Sequence, residues 1–150
     1  KEEAFSVGED CFVETDWAVP HGGRMSAVYF IRLDLIDEDG NVLDENLYWR
    51  YSQHQNYSWL VNQPKVDLNP QMTVKDAGKE YDITVTLTND SQNVSFFNHM
   101  MIRRSDTGEV VNPVFWEDNF ITLFPGESKT IHAFVAKEDM MGEVPVLDIE

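Results

Sequence analysis

The chain has almost no cysteine. Cys11 stands alone, which excludes an intramolecular disulfide and any cysteine-based metal cluster. A single cysteine among apolar neighbours reads as a small buried hydrophobe. Cationic residues are scarce as well: 11 Lys and Arg stand against 27 Asp and Glu, a formal net charge of −16. Phosphate backbones and anionic lipid surfaces are gripped by excess Lys and Arg, so nucleic acid and membrane are not expected partners. No apolar run has the length of a membrane-spanning helix. No secretory leader is visible, and the chain opens on "KEEAFSV" without Met, so it reads as a piece excised from a longer protein. For that longer protein a bacterial periplasmic or secreted location is the expectation.

What the chain does have is alternation. Hydrophobic residues make up 42% and aromatics 12%, enough for a real core. In "AVYFIRLDLID", Tyr29, Ile31, Leu33 and Leu35 fall on one face, and Phe30 and Ile36 share the other with Arg32 and Asp34. Asp39-Gly40 follows, then "NVLDENLYWRY". Asp-Gly between two alternating runs predicts a hairpin over residues 26–51, because Gly accepts the positive φ of a tight turn. After Pro64 the pattern restarts. Strands are predicted at Val66–Val74, Glu80–Thr88, Ser95–Arg103, Phe115–Leu123 and Lys129–Ala136, with a short one at Val144–Ile149. An extra strand is expected at Cys11–Thr15. Turns fall at Ala77-Gly78, at Gly108 and at Pro125-Gly126, the last with type II chemistry. Helix is nearly absent, with one short turn at most in "AKEDMMGEV". The predicted core includes Val85, Leu87, Phe96, Met100, Ile121, Leu123, Ile131 and Val135. Short strands at regular spacing predict an all-β sandwich.

Candidate chemistry is thin. Glu117 and Asp118 are adjacent, and adjacent strand residues point to opposite faces, so they do not form the two sides of one hydrolytic site. The expected role of Asp118 and Asn119 is to bond local backbone at a strand entry, with Gly126 serving the turn beyond. His21, His54, His99 and His132 lack metal-ligand spacing, and His132 should face outward. "DEDGNVLDE", Asp37 to Glu45, resembles a calcium loop only superficially: Gly40 comes too early and strands flank it. No serine has a nucleophile-elbow context, and no Gly-rich phosphate loop is present. No metal and no cofactor is expected. Asn-x-Ser/Thr sequons occur at Asn56, Asn89 and Asn93. The aromatics Tyr48, Trp49, Tyr57 and Trp59 form either a packing surface or stacking platforms for sugar rings, and packing is the favoured reading.

Four blocks then carry a resemblance. "VYFIRLDLIDEDGNVLDENLYW", "QPKVDL", "ITVTLTNDSQNVSFFNHMMI" and "NPVFWEDNFITLFPGES" occur in this order. Together they resemble the C-terminal region of family 2 glycoside hydrolases of the β-mannosidase and exo-β-glucosaminidase type. The resemblance implies an Ig-like antiparallel β-sandwich of about seven strands. It divides the chain at Gln63. Residues 1–62 would be the end of a preceding Ig-like domain, holding the hairpin, plus a linker. Residues 63–150 would be the complete terminal domain. In that family the catalytic glutamates sit on a (β/α)8 barrel, which has no counterpart here, so no catalytic residue carries over.

The expectation is therefore a non-catalytic accessory domain whose parent removes β-linked mannose or a related sugar. Its implied partners are the catalytic barrel and the adjacent Ig-like domain. Open strand edges add the expectation of a homodimer. The alternative is a carbohydrate-binding module built on Tyr48, Trp49, Tyr57 and Trp59.

Overall fold

A computed structural model describes residues 4–5, 28–51 and 57–150. The chain falls into two compact units, Lys1–Asn62 and Gln63–Glu150. The expected strand at Cys11–Thr15, with Cys11 itself, His21, His54 and the sequon at Asn56, lies outside the described residues.

Among the described residues of the first unit, β1 (Val28–Ile36) and β2 (Val42–Tyr51) pair as antiparallel strands. Asp37 sets the turn. Its Oδ1 accepts the backbone N–H groups of Asp39 and Asn41, and its Oδ2 accepts the Asn41 side-chain amide. Gly40 takes φ 86°, the left-handed conformation that closes the loop. These bonds, led by that of the Asn41 side chain, hold the Asp37 carboxyl below the ordinary aspartate range. A short helix, α1 (Ser58–Val61), follows in the connector. The alternation rule had no means to find it, since four residues are too few to show a helical period.

The second unit holds eight strands. The first layer has the order β3-β4-β9-β7: β3 (Gln71–Asp76), β4 (Glu80–Thr88), β9 (Ser128–Ala136) and β7 (Phe115–Trp116). β4 and β9 alternate strictly. Ile83, Val85, Leu87, Ile131, Ala133 and Val135 point into the core. The opposite face carries paired hydroxyls, Thr86 with Thr130 at 2.9 Å and Thr88 with Ser128 at 3.0 Å. On the same face Thr84 bonds His132 Nδ1 at 3.2 Å, so His132 is exposed, as its position in the alternation requires.

The remaining strands pair as β6 (Met100–Arg104) with β10 (Pro145–Ile149), and β5 (Ser95–Asn98) with β8 (Ile121–Leu123). Their inward residues Met100, Ile102, Ile121 and Leu123 complete the core with Leu68, Val111 and Met140. Of the predicted core residues, only Phe96 departs: it is half-buried, with its ring tilted against that of Phe97.

Three strand boundaries need correction. The expected strand Val66–Val74 begins only at Gln71, because Asn69 takes φ 44° and Pro70 has no N–H to offer a ladder. Ser95–Arg103 and Phe115–Leu123 are each two strands rather than one. Phe97 (φ 61°) and Phe120 (φ 56°) leave the β region, and each strand changes partner there. The segment 137–142 forms consecutive turns rather than a helix. It nonetheless drives Met140 into the core with no residual exposure.

Two charged side chains pin the loops at this end by hydrogen bonds. Arg104 directs Nε and Nη2 onto the Asp139 carbonyl, at 3.2 and 2.9 Å. Glu143 accepts the N–H groups of Asp106 and Thr107 and bonds the Thr107 hydroxyl. These bonds, that of Thr107 first, hold the Glu143 carboxyl below the ordinary glutamate range, with a smaller contribution from Arg104. A carboxyl with a depressed folded-state pKa contributes stability that is present above its unfolded pKa and lost as pH falls through the folded one. The urea midpoint is therefore expected to fall below about pH 4. In Glu143→Gln part of that slope should be missing. A gap between wild type and variant that stays constant with pH would show that Glu143 plays no part.

Candidate functional site

Tyr48 and Trp49 do not form one platform. Trp49 faces Phe30 across the sheet and Tyr48 faces Ile31, so these consecutive residues project from opposite faces. The Arg50 guanidinium lies over the Tyr48 ring at 5.7 Å. Tyr57 packs edge-on against Tyr51, with ring centroids 5.3 Å apart. Trp59 sits on α1 and is exposed. Sugar recognition by stacking needs ring faces that converge on one ligand, and Tyr48 and Trp49, on opposite faces of the hairpin, do not share one.

The strand-entry residues act locally. Glu117 and Asp118 lie in the bend between β7 and β8, so it is the bend rather than strand alternation that separates their tasks. Glu117 accepts the His132 N–H, a long bond of 3.4 Å. Asp118 accepts from the Asn119 N–H and pairs with Lys129 at 2.6 Å. Asn119 does more than cap. Its Oδ1 accepts the Met100 N–H at 2.8 Å and its Nδ2 donates to the Met100 carbonyl at 2.9 Å. On that same edge of β6, Val111 donates to the Ile102 carbonyl. The Asn119 amide thus occupies the place of a neighbouring peptide group where β5 hands over to β6. Gly126, at φ 82°, closes the turn in which Glu127 N–H bonds the Phe124 carbonyl, and its own N–H reaches the Asn89 carbonyl.

Two groupings were not singled out from the sequence. Asn89 is fully buried and bonded through every side-chain atom available to it. Its Nδ2 donates to the Asn93 and Leu123 carbonyls at 2.8 and 2.9 Å. Its Oδ1 accepts from the N–H and hydroxyl of Ser91. Local bonding within "NDSQN" is readable from composition, but the bond to Leu123 spans 34 residues and leaves no local signal. The second grouping is a row of rings, Phe96, Phe97, Phe120 and His99. Among the described residues no set of three or more His, Cys, Asp or Glu is placed to hold a metal ion, and no helix is long and apolar enough to cross a membrane.

Comparison with known proteins fits this geometry. Residues 46–150 match the family model described as the exo-β-D-glucosaminidase Ig-fold domain. An exo-β-D-glucosaminidase of Arthroderma benhamiae is 34% identical over 115 residues, covering 67% of this chain and 13% of the relative. The exo-β-D-glucosaminidase of Amycolatopsis orientalis is 26% identical over 166 residues, covering 96% of this chain and 16% of the relative. The crystal structure of the exo-chitosanase CsxA of Amycolatopsis orientalis superposes with a TM-score of 0.75 at 25% identity, covering 88% of this chain and 18% of that one. The chain thus spans only 13–16% of the length of these curated relatives. Of the two enzyme types that the sequence resembles, the matching family model and relatives bear the glucosaminidase name and not the mannosidase one. The chain belongs to the exo-β-D-glucosaminidase Ig-fold domain family, a non-catalytic Ig-like module of family 2 glycoside hydrolases.

Proposed function

We propose that this chain serves as the C-terminal accessory region of a larger enzyme that removes glucosamine from the ends of β-linked chains. The match of residues 46–150 to the Ig-fold domain of exo-β-D-glucosaminidases carries the reading. In this reading residues 63–150 are the complete terminal Ig-like domain. Residues 1–62 are the end of a preceding Ig-like domain plus linker. The hairpin supports that division: a two-stranded sheet is marginal alone, and β1 and β2 expose Leu33, Leu35, Val42, Leu43, Tyr48 and Trp49. The same exposed apolar side chains would also suit a contact with a second copy of the chain. The family match begins inside β2, so the division at Gln63 rests on the contacts within each unit.

Chemistry belongs to the rest of the enzyme, and this part acts by packing. The longer enzyme is expected to cleave 4-nitrophenyl β-D-glucosaminide at least about 100-fold better, by kcat/KM, than the β-mannoside, because a site built for an amine leaves buried polar groups unpaired with the wrong sugar. The 150-residue chain alone should turn over neither. A preference for the mannoside would sink the glucosaminidase assignment, and turnover by the short chain would sink the accessory role.

A further inference from the structure

The outer face of the β3-β4-β9-β7 layer carries hydroxyls, His132, Asp82 and one exposed aromatic pair. Phe115 and Phe134 face each other across β7 and β9, at 53% and 42% exposure. Their rings stack with centroids 4.8 Å apart and planes 13° from parallel. That distance is the spacing of neighbouring strands, so the stack runs across the sheet. Phe115 covers one face of the Phe134 ring, and the other face is turned toward β4. There Asp82 stands directly opposite Phe134, and Thr84 opposite His132 in the pair beside it. Asp82 is exposed. Among the described residues its carboxylate has no hydrogen bond or ion pair, although Lys75 lies opposite it on β3.

This setting narrows what the free ring face takes. An apolar side chain laid against Phe134 would shut the unpaired Asp82 carboxylate away from water, which is costly. A sugar ring avoids that cost. Its C–H face stacks on an aromatic face, and its rim offers hydroxyls to the polar neighbours. Charge then narrows the sugar. A ring amine, protonated near neutral pH, pairs with Asp82 in a chain whose net charge of −16 draws cations in. A sugar carboxylate would be repelled, and an N-acetylated sugar offers no charge to pair. An amine-bearing sugar is also the substrate class proposed above.

We infer that Phe134, backed by Phe115 and faced by Asp82, is a binding subsite for glucosamine units of a β-linked chain. The choice of sugar rests on the glucosaminidase reading above. The test is an NMR titration of the 150-residue chain with a β-linked glucosamine hexamer and with its N-acetylated counterpart. The hexamer with free amines is expected to bind in the millimolar range and the N-acetylated one more weakly. Phe134→Thr, which suits an exposed strand and keeps the fold, should weaken hexamer binding about tenfold. Asp82→Asn should weaken it about threefold and leave the N-acetylated hexamer unaffected. Equal affinity of wild type and Phe134→Thr would overturn the subsite, leaving diffuse attraction of opposite charges that a lysine hexapeptide would show as well. Preference for the N-acetylated hexamer would overturn it too. So would an arginine-rich peptide that binds through Phe134 when the hexamer does not, which would make the pair a protein contact. Binding is read without turnover, so a longer enzyme inactive on glucosaminides would defeat the functional reading and leave this result standing.

Discussion

Asn89→Ala should cost the terminal domain about 3 kcal/mol, a large fraction of a small domain's stability. The Asn89 amide is fully buried and donates to the Asn93 and Leu123 carbonyls while accepting from Ser91. Alanine would take the amide away from the buried Leu123 carbonyl and from the Ser91 N–H, while the Asn93 carbonyl keeps the Ser91 hydroxyl at 3.1 Å. Each orphaned group costs about 1–3 kcal/mol, and relaxation of the 89–93 loop recovers part of it. Asn89→Asp should be worse, although it has the same shape. One carboxylate oxygen would then face two carbonyl oxygens, and the charge would be buried without a cation. Urea unfolding followed by circular dichroism measures both. A loss below about 1 kcal/mol for alanine would mean that solvent or loop movement replaces the amide.

Met140→Ala is expected to cost a similar amount, about 3 kcal/mol, for a different reason. Met140 is buried to 0% exposure from a run of turns rather than from a strand. Truncation opens a cavity in the core cluster to which Met140 belongs, and the turn is not free to collapse into it. Arg104, bonded to the Asp139 carbonyl, holds the turn in place. Met140→Leu conserves volume and should cost less than about 1.5 kcal/mol. Equal losses for alanine and leucine would show that side-chain packing is not what Met140 supplies.

These two residues also mark where sequence reading reaches its end. Strict alternation in "YDITVTLT" and "KTIHAFVA" gives β4 and β9, their inward faces and their outward hydroxyls, because a strand's period of two is a local property. The hairpin is legible from Asp39-Gly40 between alternating runs, although Asp37, two residues earlier, does most of the turn bonding. The breaks at Phe97 and Phe120 are not legible. Phenylalanine favours strands, and the bonds that hold its left-handed backbone here come from Thr122, 25 residues from Phe97, and from Asn119, whose own orientation is set by its bonds to Met100. The role of Asn119 at the bend was readable in part, as a residue that bonds nearby backbone. Its bonds to Met100, 19 residues away, were not. Of the aromatic candidates, the split of Tyr48 from Trp49 onto opposite faces is legible from strand alternation, whereas the packing of Tyr57 against Tyr51 depends on the path between strand and helix.

The burial of Asn89 has a practical consequence for making the protein. Asn89-Asp90-Ser91 is an acceptor sequence for N-linked glycans, and the nitrogen that would carry the sugar is Nδ2. In the folded domain that nitrogen is enclosed and donates to two carbonyls. A eukaryotic secretory host that modifies the chain before it folds would place a bulky glycan where the core must close. Yield from such a host should then depend on whether folding outruns glycosylation, a competition that a bacterial host does not impose.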